Sequence, residues 1–80
     1  MDIYVGNLSR DVTEGELKQE FMAFGKVTSV RVVKDRRSGQ SKGFAFVQMP
    51  SQAEGQAAIA GLKGKTLRDR TLDVTESHPR

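Results

Sequence analysis

The octapeptide KGFAFVQM, residues 42–49, alternates between small or aliphatic residues and aromatic or polar ones. Successive side chains of a β-strand point to opposite faces, so this segment predicts a strand with two different faces. The aliphatic face comprises Ala45, Val47 and Met49, and the other comprises Phe44, Phe46 and Gln48. A chain of 80 residues has little material to cover both faces of a sheet. We therefore expect Phe44 and Phe46 to face a ligand.

Three further segments alternate in the same way and predict strands. Residues 2–7 place Ile3 and Val5 inward, with Asp2 and Tyr4 outward. Residues 27–34 place Val30 and Val32 inward, and residues 71–75 place Leu72 and Val74 inward. Each strand thus offers an aliphatic face to a common core.

Two segments whose apolar residues recur at helical spacing lie between these strands. Thr13 and Glu16 form a capping-box pattern before a helix that carries Leu17, Phe21 and Phe24 inward and ends at Gly25. Ser51 and Glu54 repeat the pattern before a second helix. Its inward residues are Ala58, Ile59 and Leu62, and it ends near Gly64.

The predicted element order is βαββαβ. With right-handed crossovers, it gives an α+β, ferredoxin-like fold, in which a four-stranded antiparallel sheet carries both helices on one face. Residues 65–70 are predicted to be a basic turn, and residues 35–41 a polar connection. The outward residues of all four strands then lie together on an open face, including Tyr4, Phe44 and Phe46.

Composition narrows the chemistry further. The chain has no cysteine and one histidine, His78, so we expect no disulfide, metal or cofactor site. It contains no run of 18 apolar residues, so we expect a cytoplasmic protein without a membrane partner. The net charge is +3, and residues 31–42 hold five basic side chains and one acidic one. Such a run alone is typical of a solvated loop, but here it adjoins the aromatic strand.

Two segments resemble the short motifs of the RNA recognition motif family. These are IYVGNL, residues 3–8, and KGFAFVQM, residues 42–49, in the family's order and within its βαββαβ pattern. The family usually ends its octapeptide with an aromatic residue, where this chain has Met49; that position faces the core. The predicted domain covers residues 1–76, followed by a short tail, residues 77–80. Its short single-domain form is most similar to the small bacterial members.

The resemblance implies a non-catalytic protein that binds single-stranded RNA as a monomer. It implies a role in post-transcriptional regulation or RNA chaperoning. The sequence leaves open whether the protein also binds single-stranded DNA. Tyr4 and Phe46 would each stack a base, Phe44 would contact sugars and Lys42 a phosphate. The charge pattern adds Arg31, Arg36 and Arg37 as phosphate contacts. Candidate contacts to base edges are Asn7, Ser29, Gln48, Asp73 and Thr75, while His78 is a candidate for stacking. For each of these, a role in a turn, simple exposure or a disordered tail is at least as plausible.

Two interpretations from other classes compete with this one. Ferredoxin-like sheets also support acylphosphatase activity, but the loop after the first strand has Arg10 without a glycine-rich phosphate cradle. Gly64-Lys65-Thr66 imitates the end of a P-loop, but Ile59 stands where that motif needs glycine. The second alternative is a peptide-binding module that uses the same open face. The basic segment beside the aromatic residues favours nucleic acid.

Overall fold

The computed structural model describes residues 1–39 and 41–77. The elements in chain order are β1 (Asp2–Gly6), α1 (Glu14–Met22), β2 (Ser29–Lys34), β3 (Ser41–Gln48), α2 (Gln52–Leu62), β4 (Thr66–Leu67), β5 (Arg70–Thr71) and β6 (Asp73–Ser77). Four strands form one antiparallel sheet in the spatial order β2-β3-β1-β6, and β4 pairs with β5 in a separate hairpin. This confirms the ferredoxin-like α+β fold.

The aliphatic face of the sheet packs against both helices in one core. The strands contribute inward residues such as Ile3, Val47 and Val74, and the helices contribute residues such as Leu17 and Phe21; all five are fully buried. Met49 is also fully buried in this cluster, as its position in the alternation predicted. Within residues 1–39 and 41–77, no helix covers the opposite face of the sheet.

Both predicted N-caps are present, but the glutamates of the two capping boxes serve other purposes. Thr13 Oγ1 accepts a hydrogen bond from the Glu16 backbone N–H at 3.2 Å, and Ser51 Oγ accepts one from the Glu54 N–H at 3.3 Å. The Glu54 carboxylate accepts a bond from the Lys26 backbone N–H, which ties α2 to the connection after α1. The carboxylates therefore join elements rather than completing their own caps.

Several element boundaries differ from the prediction. Helix α1 ends at Met22 rather than at Gly25, because the backbone N–H of Phe24 bonds to the Phe21 carbonyl at 3.0 Å and tightens the last turn. Strand β2 starts at Ser29 rather than at residue 27. The last strand was predicted at residues 71–75, but Thr71 belongs to β5 and β6 covers Asp73–Ser77.

The basic turn predicted at residues 65–70 is a hairpin. Arg68 and Asp69 connect β4 to β5 with φ angles of 51° and 64°, both in the left-handed region. A two-residue turn of this kind usually contains glycine. Here Arg68 Nε donates to Glu16 Oε2 of α1 at 2.9 Å, which lowers the pKa of Glu16, and Lys65 forms an ion pair with Glu20. These contacts hold the hairpin against α1.

Candidate nucleic-acid interface

The strand register arranges the residues of the open face in rows that cross the sheet. The middle row runs through Arg31, Phe46, Tyr4 and Thr75. The row toward the N-terminus of β1 runs through Ser29, Gln48, Asp2 and Ser77, and we call it the polar row. On the other side of the middle row, Gly6 pairs with Asp73, and Phe44 lies two residues before Phe46 on the same face of β3. Aromatic side chains thus occupy the centre of the face.

Tyr4, Phe44 and Phe46 form one cluster, which we call the aromatic cluster. The ring centroids of Tyr4 lie 6.1 Å from Phe44 and 5.9 Å from Phe46, and those of Phe44 and Phe46 are 6.1 Å apart. These spacings are typical of attractive aromatic pairs. Phe46 is the most exposed, at 39%, and the other two rings are half-buried. The three residues expected on one patch therefore meet there.

Gly6 leaves room for the Tyr4 ring. A β-carbon built at Gly6 would lie 2.7 Å from Tyr4 Oη and 3.0 Å from Cε1 and Cζ of the same ring. These distances are shorter than ordinary contacts between heavy atoms, which begin near 3.5 Å between carbons. The ring therefore lies over the backbone of Gly6, and the glycine helps to fix its position in the aromatic cluster.

A bulge in β3 lies next to the aromatic cluster. Between the pairs Val32–Ala45 and Lys34–Ser41, one residue of β2 stands opposite three residues of β3. Within this bulge, Gly43 has a φ of +88°, in the left-handed region, and its carbonyl accepts a hydrogen bond from the Leu8 backbone N–H at 2.9 Å. The bulge thereby joins β3 to the loop after β1 and interrupts the simple alternation at Lys42.

A groove of about 680 Å³ lies beside Tyr4 and Phe44, between the loop after β1, the β2–β3 connection and the hairpin. Three basic side chains, Arg10, Lys42 and Arg70, line this groove together with one acidic residue, Asp35. We call it the basic groove. Its charge and its position next to the aromatic cluster suit a polyanion whose flat groups reach the rings.

Asn7 holds one wall of the basic groove. Its backbone has a φ of 57°, and its Nδ2 donates a hydrogen bond to the Thr71 carbonyl at 2.7 Å. Arg70 Nη1 donates to Asn7 Oδ1 at 3.3 Å. Asn7 therefore joins β1 to the hairpin and positions Arg70. Its predicted contact with a base edge stays a prediction.

The β2–β3 connection begins with a turn around Asp35. The Asp35 carboxylate accepts hydrogen bonds from the backbone N–H groups of Arg37 at 2.7 Å and Ser38 at 3.4 Å. These bonds, together with the positive charge of Lys42, hold the pKa of Asp35 below its ordinary value. Arg36 and Arg37 are exposed on this turn, whereas Asp35 and Ser38 line the basic groove.

The other predicted contact residues are distributed over the open face. Arg31 is exposed beside Phe46, its cross-strand neighbour. Gln48, Asp73 and Thr75 are exposed as well, and so is Ser29. His78 lies outside the described residues.

No group of three or more histidine, cysteine, aspartate or glutamate side chains able to hold a metal is present in residues 1–39 and 41–77. Over the same described ranges, no helix is both long enough and apolar enough to cross a membrane.

Comparison with known proteins agrees with this geometry. The profile of the RNA recognition motif family matches residues 3–73, which is most of the chain. The chain belongs to the RNA recognition motif family. This membership supports a binding module rather than an enzyme.

Other members of the family include proteins of different sizes. The 28 kDa chloroplastic ribonucleoprotein of Nicotiana sylvestris is 51% identical over 78 residues, which cover 98% of this chain and 28% of that protein. RbpB of Nostoc sp. is 48% identical over 80 residues, which cover all of this chain and 78% of that protein. The chain thus spans about a quarter of the chloroplast relative and most of the cyanobacterial one. The cyanobacterial match agrees with the resemblance to small bacterial members.

A solved structure of the Sxl-lethal protein/RNA complex superimposes on this RNA recognition motif with a TM-score of 0.93. It is 35% identical, and the match covers 99% of this chain and 47% of that one. The similarity extends over the whole sheet, including the open face.

Sequence reasoning missed two basic residues of this RNA recognition motif as site residues. Arg10 was considered only as part of an enzyme loop, and Arg70 only as part of a basic turn, yet both line the basic groove. The strand order carries the signal that identifies them. Because β1 lies between β3 and β6, the loop after β1 and the hairpin before β6 approach the same end of the sheet.

Proposed function

We propose that the open face of this RNA recognition motif binds single-stranded RNA. Tyr4 and Phe46 each stack a base, and Phe44 contacts the sugars between them. The observation that carries the proposal is the aromatic cluster itself, with three rings whose centroids lie within 6.1 Å of one another on the sheet face opposite the helices. Stacking on such rings contributes about 1–3 kcal/mol per base and tolerates any base.

Basic residues surround the aromatic cluster and supply the attraction for phosphates. Arg31 neighbours Phe46 across β2 and β3, and Lys42 lines the basic groove beside Tyr4 and Phe44. An RNA strand that extends across the aromatic cluster therefore passes a basic side chain at each end of the cluster. Arg36 and Arg37, on the exposed turn, add attraction at longer range. Affinity is then expected to fall as the salt concentration rises.

Names of relatives support the ligand class. The Nicotiana protein is a ribonucleoprotein, and the Sxl-lethal protein was solved in a complex with RNA. Because relatives come from a cyanobacterium and from chloroplasts, the predicted cytoplasmic location stays a proposal. The proposed biological roles are post-transcriptional regulation and RNA chaperoning, with the protein acting as a monomer.

Replacing Phe46 with alanine tests the proposal. We expect binding to a short fluorescent RNA, measured by anisotropy, to weaken by about 1–3 kcal/mol, which is roughly 5- to 150-fold. Thermal stability is expected to fall by only about 1 kcal/mol, because Phe46 contacts other rings but is not a core residue. Met22→Ala is the matched control, since Met22 is 49% exposed on α1, away from the sheet face.

The control variant is expected to bind RNA like the unmodified protein. Equal affinities for the Phe46→Ala variant and the unmodified protein would contradict the stacking role. A peptide-binding face would instead bind RNA poorly and would show little change in affinity for its ligand between low and moderate salt.

A further inference from the structure

The polar row beside Phe46 borders a second cavity on the open face. This cavity has a volume of about 470 Å³ and is lined by Asp2, Ser29, Arg31, Phe46, Gln48 and Ser77. Such a volume falls within the usual range of small-ligand sites, about 300–1,000 Å³. We propose that this cavity selects guanine for the base that stacks on Phe46. The inference rests on the proposed function, because it requires RNA on the open face.

The register fixes the relative positions of the side chains in this cavity. Gln48 pairs with Ser29 on one side and with Asp2 on the other. Side chains of directly paired residues in antiparallel strands have β-carbons about 4.5–5.5 Å apart. Phe46 precedes Gln48 by two residues, so its ring and the polar row lie on the same face of β3. A base on Phe46 can therefore direct one edge toward Gln48 and Asp2.

The polar side chains of this cavity have unused hydrogen-bonding capacity. Within the described part of the chain, the side chains of Asp2, Ser29 and Gln48 make no hydrogen bond with any neighbour. Asp2 is half-buried, and the other two are exposed. A half-buried carboxylate without a protein donor is suited to accept hydrogen bonds from a ligand.

The donor and acceptor pattern of this pair favours guanine. A carboxylate accepts hydrogen bonds at both oxygens and can receive two parallel N–H groups, as it does from arginine. Guanine offers such a pair, N1–H and the 2-amino group, next to the O6 acceptor. The Asp2 carboxylate accepts the pair, while the Gln48 amide group donates to O6.

The other bases match this pattern less well. Uracil presents one N–H between two carbonyl oxygens, and a carboxylate repels both oxygens. Adenine and cytosine each present one amino donor beside a ring nitrogen that accepts, so they satisfy only one oxygen of Asp2. Guanine is therefore the base that satisfies both oxygens of the carboxylate.

The negative charge of Asp2 affects RNA binding even without a contact to a base, and this effect must be separated from base recognition. Any carboxylate on the open face repels RNA phosphates, so Asp2→Asn changes the overall affinity whether or not Asp2 contacts a base. Asp69 provides a control for net charge, because Asp69→Asn removes the same charge but Asp69 is exposed in the turn between β4 and β5 and does not line the cavity. The preference among bases, rather than the affinity itself, is therefore the quantity to measure.

The experiment compares heptauridylate with strands in which the central residue is guanosine, inosine, adenosine or cytidine. A short strand can shift along the site, so the central base can reach Phe46. Dissociation constants are measured by anisotropy for the unmodified protein, Asp2→Asn and Asp69→Asn. We expect the guanosine strand to bind the unmodified protein about tenfold more tightly than heptauridylate. Inosine, which lacks the 2-amino group, should lose most of this preference.

Asp2→Asn should bind the guanosine and all-uridine strands nearly equally, whereas Asp69→Asn should keep the preference for guanosine. The proposal is overturned if the unmodified protein shows no preference, if Asp2→Asn retains it, or if both variants lose it equally. Those results leave RNA binding by the aromatic cluster intact. A protein that binds none of the strands, or whose Phe46→Ala variant binds all of them normally, would contradict the proposed function and the guanine preference together.

Discussion

Gly6→Ala tests the placement of the Tyr4 ring without removing an aromatic group. The new β-carbon would lie 2.7 Å from Tyr4 Oη and 3.0 Å from two ring carbons. Since contacts between carbons are comfortable from about 3.5 Å, the ring must withdraw by roughly 0.5 Å or more. Gly6 is not among the glycines with a positive φ, so its backbone can accept alanine. The strain therefore falls on the ring, whose tip is the part that can move.

Under the proposed function, a displaced Tyr4 ring would stack less well on its base. We expect Gly6→Ala to lower RNA affinity by about half of the 1–3 kcal/mol that one stacked base contributes, which is roughly 2- to 13-fold. Tyr4→Ala sets the upper limit of the effect. Because both substitutions act through one ring, the double variant should bind RNA no more weakly than Tyr4→Ala alone.

The assay is fluorescence anisotropy with a short single-stranded RNA, combined with thermal unfolding of each variant. Gly6→Ala should unfold near the temperature of the unmodified protein, because the close approach can be relieved at the flexible end of a side chain. Normal RNA binding by Gly6→Ala would refute the role of Gly6 in positioning the ring. So would a double variant in which the two effects add in full.

Three other predictions concern the β2–β3 connection and the bulge in β3 that follows it. Replacing Arg36 and Arg37 with alanine should reduce the slope of log affinity against log salt concentration by up to about 0.7 for each phosphate that these arginines neutralise. Lys18→Ala on α1 should leave this slope unchanged. Equal slopes for all proteins would exclude the turn from RNA binding. Gly43→Ala should destabilise the fold by about 1–3 kcal/mol in denaturant unfolding, because alanine is strained at a φ of +88°; an unchanged midpoint would contradict this. The pKa of Asp35 is lowered, so the turn around Asp35 should persist at pH values above the ordinary pKa and should open only as pH falls through the lowered pKa. The backbone amide chemical shift of Arg37 would report this opening, and Asp35→Asn should abolish the pH-dependent change in that shift.

The sheet and the core could be predicted because their signals are local and repeat along the chain. Alternation identified the inward faces of the four strands, and the Thr13 and Ser51 caps marked both helix starts. The same alternation assigned Met49 to the core despite its departure from the family pattern, and Met49 is fully buried. Each of these inferences needed only a few neighbouring residues.

The hairpin at residues 65–70 could not be found in this way. Its strands have two residues each, too few to show alternation, and its turn uses Arg68 and Asp69 in the left-handed region where glycine is the usual signal. An ion pair between Arg68 and Glu16 of α1 supports it. This ion pair joins residues far apart in sequence, so no local pattern indicates it.

The geometry of the candidate site could be predicted in part, for a related reason. Tyr4, Phe44 and Phe46 follow from face assignment alone, once β1 and β3 are paired. The polar row requires the register, since a shift of one residue would place Gln48 opposite a different neighbour. The basic groove requires the packing of three connections, which brings Arg70 to the loop after β1.

The tilts within the aromatic cluster bear on the choice between single strands and duplexes. The Tyr4 and Phe46 rings are inclined by 54° to each other, so bases stacked flat on the two rings are inclined to each other as well. Neighbouring bases of a duplex are parallel, and separating them costs about 1.4 kcal/mol per step in DNA. A single strand supplies splayed bases at less cost, so an RNA should bind more weakly when the same sequence is paired in a stem. Phe44 lies at 85° to Phe46, so a base stacked flat on Phe46 would not lie flat on Phe44, which agrees with the proposed contact between Phe44 and the sugars.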